Sequence, residues 1–280
     1  ARYAIASEEI VPGIGLGYTA ALGALKDNPE MSAADLARFF VDGYIDQDAF
    51  IQDVNTRMFL ALVRGLSPEA SAEQLSATYD NITMGAYDLG QLQGLTAALN
   101  QLVTALAGVD QTQVAEARSY AQSYASVFGN DTPEPFIDLG HWASLLQENL
   151  SQEPQALAAL ENVQAALGKV VIAEKHAPQR PGSTGVSIYF PNSQLYSSPV
   201  SGPESYTVIA GRFAAESLWD DFLAYHYTGE AFDVEQGAVA VPPAGTPRRS
   251  PAAGGIQVSA VSASAAEVGV AETVRLAVDI

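Results

Sequence analysis

Two adjacent carboxylates, Glu8 and Glu9, follow an uncharged run, Tyr3-Ala4-Ile5-Ala6, and a serine, Ser7. An apolar run cut off by polar residues reads as a buried strand reaching the edge of its sheet, and strand ends are where α/β proteins place their sites. A carboxylate there can hold an arginine or lysine side chain, because a buried cation left unpaired is costly. Successive strand residues point to opposite faces, so at most one of the two glutamates faces such a pocket. The alternative is that both cap loop amides or face solvent, a reading that suits Glu9 better than Glu8.

The other reactive side chains form no site by spacing alone. His141 falls on the polar side of a helix beside Ser144 and Glu148 and reads as a solvated surface residue. His226 follows a helix, where the C-terminal dipole favours a cation. His176 sits in a Pro/Gly-rich loop near Ser183 and Ser187, so a serine-histidine pair is conceivable, yet no nucleophile elbow accompanies it. No two histidines have metal-ligand spacing. Asp220 and Asp221 are neighbours on a helix and point about 100° apart, which suits a solvated face better than an acid/base couple. Trp219, Phe222 and Leu223 read as core. Arg248-Arg249, in Thr-Pro-Arg-Arg-Ser-Pro, is either a pair of surface charges or a place where a peptidase selective for basic residues clips its own chain.

The 280 residues include no cysteine. That excludes a disulfide scaffold, a thiolate zinc site and any thiol chemistry carried by this sequence itself. The length and 48% hydrophobic content support a sizeable core. With 32 acidic against 13 basic side chains the net charge is -19, so nucleic acid is not an expected partner, whereas cationic peptides are attracted. The same excess of acid also serves solubility. No apolar run approaches the roughly 18 residues of a membrane span. The sequence opens on alanine without a charged and apolar leader, so it reads as a processed product or an excised piece.

These residues need elements to position them. Gly13, Gly15 and Gly17 are expected to form turns ahead of a helix reaching Leu25, and Ser32 with Asp35 to cap a helix through Tyr44. Residues 46–75 read as helical and Thr78 to Tyr87 as β. Leu92, Leu95, Leu99, Leu102 and Leu106 mark one face of a helix, and a further helix is expected from Gln113 to Val127. Asp138 caps a helix with the buried stripe Leu139, Trp142, Leu146 and Leu150. After a helix from Gln155 to Leu167, strands at Lys169–Ala173 and Gly185–Phe190 are expected to pair as a hairpin. Ala214 to Tyr225 forms the closing helix. Residues 236–255 read as an exposed Pro/Gly/Ala-rich linker, and 256–280 as the start of a β-rich module, for which an immunoglobulin-like fold is one candidate.

Four stretches, in order along the chain, resemble the clostripain-type (C11) cysteine peptidases. They are Tyr3 to Tyr18 (YAIASEEIVPGIGLGY), Met84 to Leu89 (MGAYDL), Phe136 to Ala143 (FIDLGHWA), and Thr184 to Pro191 with Trp219 to Leu223 (TGVSIYFP and WDDFL). Leu16 stands where family members usually have an aromatic, and Gly85 where they usually have serine. The resemblance implies that residues 1–235 are the C-terminal portion of the peptidase domain, an α/β fold that is part of a caspase-like sandwich with a helical accessory layer. It implies a catalytic histidine and cysteine upstream of Ala1, so that this chain alone supplies no catalytic residue and is inactive. It further implies cleavage after arginine or lysine, with Ser7, Glu8 and Glu9 as candidate substrate-binding residues. The expected partners are peptide or protein substrates and the upstream part of the same peptidase, in a secreted, cell-surface or periplasmic setting. No cofactor is evident in the residues, and calcium enters through the resemblance only. A non-catalytic binding module on the same scaffold is the alternative.

Overall fold

The computed structural model describes residues 1–11, 16, 18–44, 54–65, 67, 69–70, 80–124, 134–199 and 202–230. The chain divides into two compact units, Ala1–Val239 and Ala240–Ile280, and all described residues lie in the first. The three-glycine turn, half of the 46–75 helical region, the 236–255 linker with Arg248-Arg249, and the β-rich module 256–280 lie outside the described residues.

The described elements are β1 (Tyr3–Ala6), α1 (Tyr18–Asp27), α2 (Ala33–Tyr44), α3 (Val54–Arg64), β2 (Thr83–Asp88), α4 (Leu92–Leu106), α5 (Gln111–Tyr120), β3 (Ser123–Tyr124), β4 (Phe136–Asp138), α6 (Leu139–Asn149), α7 (Pro154–Val170), β5 (Val171–His176), β6 (Ser187–Tyr189), α8 (Ser193–Tyr196), α9 (Pro203–Ile209), α10 (Gly211–Glu216) and α11 (Trp219–Thr228). Helices are thus mixed with two small sheets, ordered β1-β2-β5 and β3-β4-β6, and every pairing in both is antiparallel.

The two-residue period of a strand divides the first sheet into a core face and an open face. Met84 and Ala86 of β2 join Ile82, and pack with Ala37, Val41 and Tyr44 of α2 in a small core that Ile5, Ile172 and Ala173 extend. Thr83, Gly85 and Tyr87 alternate with those residues and take the other face. Across the strands, Gly85 stands between Ala6 of β1 and Glu174 of β5, and Thr83 stands opposite His176. Ser32 caps α2 as expected: its hydroxyl accepts from Asp35 N–H at 3.1 Å and donates to the Asp35 carboxylate at 2.7 Å.

The larger core gathers α4, α5, α6, α7, α11 and the second sheet. Leu95, Leu99, Leu102 and Leu106 are buried as their spacing predicts, but Leu92, in the first turn of α4, is exposed. Leu139, Trp142, Leu146 and Leu150 are all buried. Trp142, Phe190 and Trp219 meet edge to face with centroids 5.6–5.7 Å apart, a favoured aromatic geometry. Trp219 donates its indole N–H to the Tyr189 carbonyl at 2.7 Å.

Three expectations about elements are corrected. The helix α7 runs on to Val170, so Lys169 is helical, and β5 and β6 do not form a hairpin: β5 pairs with β2 and β6 with β4, in different sheets. Adjacency in sequence suggested the hairpin, but the segment between the two strands crosses from one sheet to the other. The helix expected through Val127 stops at Tyr120, and Ser123–Tyr124 is a strand paired with β4. Its helical pattern yields to tertiary pairing, with Tyr124 fully buried and its hydroxyl hydrogen-bonded.

Candidate functional site

The Ser7-Glu8-Glu9 turn leaves β1 across the end of β2, and Thr83 fastens it there. The Thr83 hydroxyl oxygen accepts from Glu8 N–H at 3.0 Å and Glu9 N–H at 3.2 Å, and lies 3.1 Å from the Ser7 hydroxyl. The Ser7 oxygen also accepts from Glu9 N–H at 3.2 Å. A β-branched hydroxyl at the start of β2 therefore does the work of a cap, and it sends the two glutamates apart. Glu9, 7% exposed, forms an ion pair with Arg180 and accepts from Ile10 N–H. Glu8 turns the other way. Both of its carboxyl oxygens are buried, and neither makes a hydrogen bond.

What faces Glu8 is a second carboxylate, Asp138, at the junction of β4 and α6. Asp138 is fully buried and accepts four hydrogen bonds: from His141 N–H at 2.7 Å, Thr184 N–H at 2.6 Å, the Thr184 hydroxyl at 2.6 Å and the Tyr124 hydroxyl at 3.0 Å. The first of these is the helix cap that the sequence predicts; the other three bind the segment from β5 to β6 and strand β3 to the same carboxylate. The Tyr124 hydroxyl is also 2.7 Å from that of Ser183, and the Arg180 guanidinium lies 6.0 Å from the Tyr124 ring centroid. Glu9, Arg180, Tyr124, Asp138 and Thr184 are thus joined in one chain of contacts around Glu8.

Glu174 of β5, on the open face beside Gly85, is the third carboxylate. It takes the His176 ring, with Nδ1 3.0 Å from Oε1. Burial first, and the charge of Asp138 second, push the Glu8 carboxyl up to about 10. Burial also raises Glu174, and the neighbouring His176 opposes that rise. Burial, then Glu8 and Asp138, raise the Tyr124 phenol. A carboxyl so placed is neutral at pH 7 unless a cation enters, because removal from water disfavours the charged form and Asp138 disfavours it further. A guanidinium or ammonium group placed against Glu8 supplies both the counter-charge and the missing donors.

The remaining candidates fall elsewhere. No hydrogen bond joins His176 to Ser183 or Ser187: the histidine is held by Glu174 and Ser183 by Tyr124. His141 is not a solvated residue, since its Nδ1 accepts from Gln122 N–H at 2.9 Å and ties α6 to the start of β3. His226 lies within the last turn of α11 against Phe190 and Phe222, with Nδ1 2.8 Å from the Gln111 side-chain oxygen. Burial lowers its pKa to about 4, so it is neutral at pH 7 and does not serve the helix dipole as a cation. Asp220 departs from the solvated face expected of it: one of its oxygens is buried without a hydrogen-bond partner, and burial raises its pKa. Trp219, Phe222 and Leu223 are core. Among the described residues no group of three or more His, Asp or Glu side chains is disposed to hold a metal ion, and no helix is long and apolar enough to cross a membrane.

Thr83, Tyr124, Glu174 and Arg180 carry no motif of their own in the sequence. Glu174 alone had a usable signal, an acid directly after the apolar run Val170 to Ala173. The sequence contains no thiol, so the arrangement can bind a cationic side chain but cannot attack a peptide bond through a cysteine.

Comparison with known proteins agrees with the motif reading. No curated protein matches the chain. A solved structure described as a B. fragilis cysteine protease is similar at 16% identity, over 81% of this chain and 79% of that one, with a TM-score of 0.42, too loose a likeness to bear on fold or chemistry. The family model described as Clostripain family (peptidase C11) matches residues 1–226, a span that contains the Ser-Glu-Glu turn and the Asp138 clamp and stops short of the expected linker. With four-fifths of its length inside that match, the chain belongs to the clostripain family of peptidases.

Proposed function

We propose that this chain is part of a cysteine endopeptidase that hydrolyses peptide bonds after arginine or lysine, with the catalytic histidine and cysteine supplied by sequence upstream of Ala1. In this reading the Ser7-Glu8-Glu9 turn borders the substrate cleft. Glu8 meets the basic side chain, while Ser7 and Glu9, tied to Thr83 and Arg180, hold the turn in place. The observation that carries the reading is the buried Glu8 carboxyl, which has no donor of its own and stands beside Asp138 and Glu174. Native proteins seldom leave such a group unsatisfied, and perturbed carboxyls of this kind cluster where ligands bind. The net charge of -19 draws basic substrates towards the molecule. Action on peptides outside the cytoplasm, in a secreted or surface-attached protein, fits the same family reading.

The test uses the chain joined to its upstream segment and peptides that differ only at the residue before the cleaved bond. Glu8→Gln is expected to lower kcat/KM for arginine and lysine peptides by about 10²-fold and to leave a glutamine peptide nearly unchanged. Glu9→Gln is expected to weaken the fold through the loss of the Arg180 pair without altering selectivity. An unchanged basic preference in Glu8→Gln would refute the pocket assignment. The absence of cysteine from all 280 residues is equally compatible with a second reading, a non-catalytic binding module on a peptidase scaffold. The coding sequence upstream separates the two: a histidine followed by a cysteine at a strand end supports the enzyme, and other residues at those places support the scaffold.

A further inference from the structure

The register between β2 and β5 breaks between Ala86 and Tyr87. A bulge re-aims the side chain beside it, and bulges are over-represented next to active sites. Here the Tyr87 side chain turns back along its own strand and lies over Gly85, so closely that a Cβ at Gly85 would fall 2.1 Å from the Tyr87 hydroxyl oxygen. The hydroxyl reaches across to the segment that precedes β6 and donates to the Gly185 carbonyl at 2.6 Å. Gly185 has φ +104°, a backbone that side chains rarely adopt, and a Cβ there would meet Val171 at 3.0 Å and Glu174 at 3.3 Å. The bulge, the bare Gly85 and the left-handed Gly185 are three separate local features, and together they place one hydroxyl.

That hydroxyl closes a ring of contacts around the acidic cluster. Glu8 is fastened to β2 through Thr83, and Asp138 is fastened to the segment preceding β6 through Thr184. Tyr87 belongs to β2, and Gly185 follows Thr184 directly. The Tyr87–Gly185 bond is therefore the crosspiece that holds the Glu8 side of the cluster against the Asp138 side. The phenol is raised by its own burial and then by the charges of Glu8, Glu174 and Asp138, which places it among the same three carboxylates.

We infer that Tyr87 is a positioning residue for the acidic cluster, acting through Gly185 to hold Glu8 and Asp138 at the separation that accepts a cationic side chain; the inference rests on the substrate reading of Glu8 given above. Loss of the crosspiece loosens the cleft for a basic side chain, and Tyr87 itself takes no part in bond cleavage.

The experiment compares Tyr87→Phe with the wild-type sequence in the enzyme joined to its upstream segment, with arginine and glutamine peptides. The expected result is a KM for the arginine peptide raised about fivefold to tenfold, as for one hydrogen bond lost, with kcat and the KM for the glutamine peptide within about twofold. Gly85→Ala, which drives the hydroxyl from its place, is expected to reproduce the effect. An equal rise for both peptides, or no rise for either, overturns the inference. Glu8→Gln in the same assay reports separately on the substrate reading. If that variant keeps the arginine preference, the substrate reading fails, and the positioning role is judged by infrared titration of the Glu8 carboxyl in the 280-residue chain. A midpoint displaced by about one pH unit in Tyr87→Phe upholds it, and an unmoved midpoint overturns it.

Discussion

Adjacent glutamates in one turn have opposite fates, and the difference lies in what each meets. Glu9 meets Arg180 and a backbone amide; Glu8 meets Asp138 and no donor. The consequence for stability has a definite sign. The Glu8 carboxyl titrates near 4.5 when unperturbed and is raised to about 10 in the fold, so its contribution is whole below about pH 4.5 and is lost as the pH climbs towards 10. Between those limits the wild-type chain loses unfolding free energy through this one group as the pH rises. Glu8→Gln removes the titration. Urea unfolding of the 280-residue chain between pH 5 and 9 is therefore expected to show the variant gaining on the wild type as pH rises, and parallel pH profiles would count against a neutral, buried Glu8. A site that is costly in its empty state and relieved by a cation is the pattern expected of binding residues.

At the scale of elements, β4 and α6 meet at Asp138, and that junction organises the second sheet. The cap was readable, because an acid just before an apolar helical stripe is a start signal. Its three further donors were not, because Thr184 lies 46 positions along the chain and Tyr124 sits in a segment whose pattern reads as helix. Asp138→Ala would leave four donors without an acceptor in a buried setting. The expected loss is about 4 kcal/mol, roughly 10 °C in Tm for a unit of this size, and Asp138→Asn should recover part of it. A loss under about 1 kcal/mol in Asp138→Ala would mean that water or a shifted side chain replaces the carboxylate. The hairpin expected of β5 and β6 failed for a related reason. Both strands were recognised, but the segment between them, with Arg180, Ser183, Thr184 and Gly185, is used to bridge two sheets.

At the scale of the whole molecule, the net charge of -19 attracts basic peptides, and the proposed peptidase cleaves after arginine or lysine. Arg248-Arg249 is the part of this chain that such a peptidase would itself accept. Incubation of the enzyme with its upstream segment is expected to yield a fragment ending at Arg248 or Arg249, detectable by mass spectrometry, and Arg248→Gln/Arg249→Gln should abolish it. Persistence of the intact chain in an active preparation would show that the flanking Pro247 and Pro251 protect the pair.

The sequence by itself determined the family, the absence of cysteine among these residues, the stripes of α4 and α6, and the caps at Ser32 and Asp138. Each of these depends on residue identity or on spacing within a single element, which local physics reads directly. Only the tertiary structure decided that Glu8 rather than Glu9 faces Asp138, that Tyr87 rather than a side chain at Gly85 fills the open face, and that β5 and β6 belong to different sheets. Those outcomes depend on which distant groups share a buried space, and the cost of an unpaired polar group there outweighs any local preference.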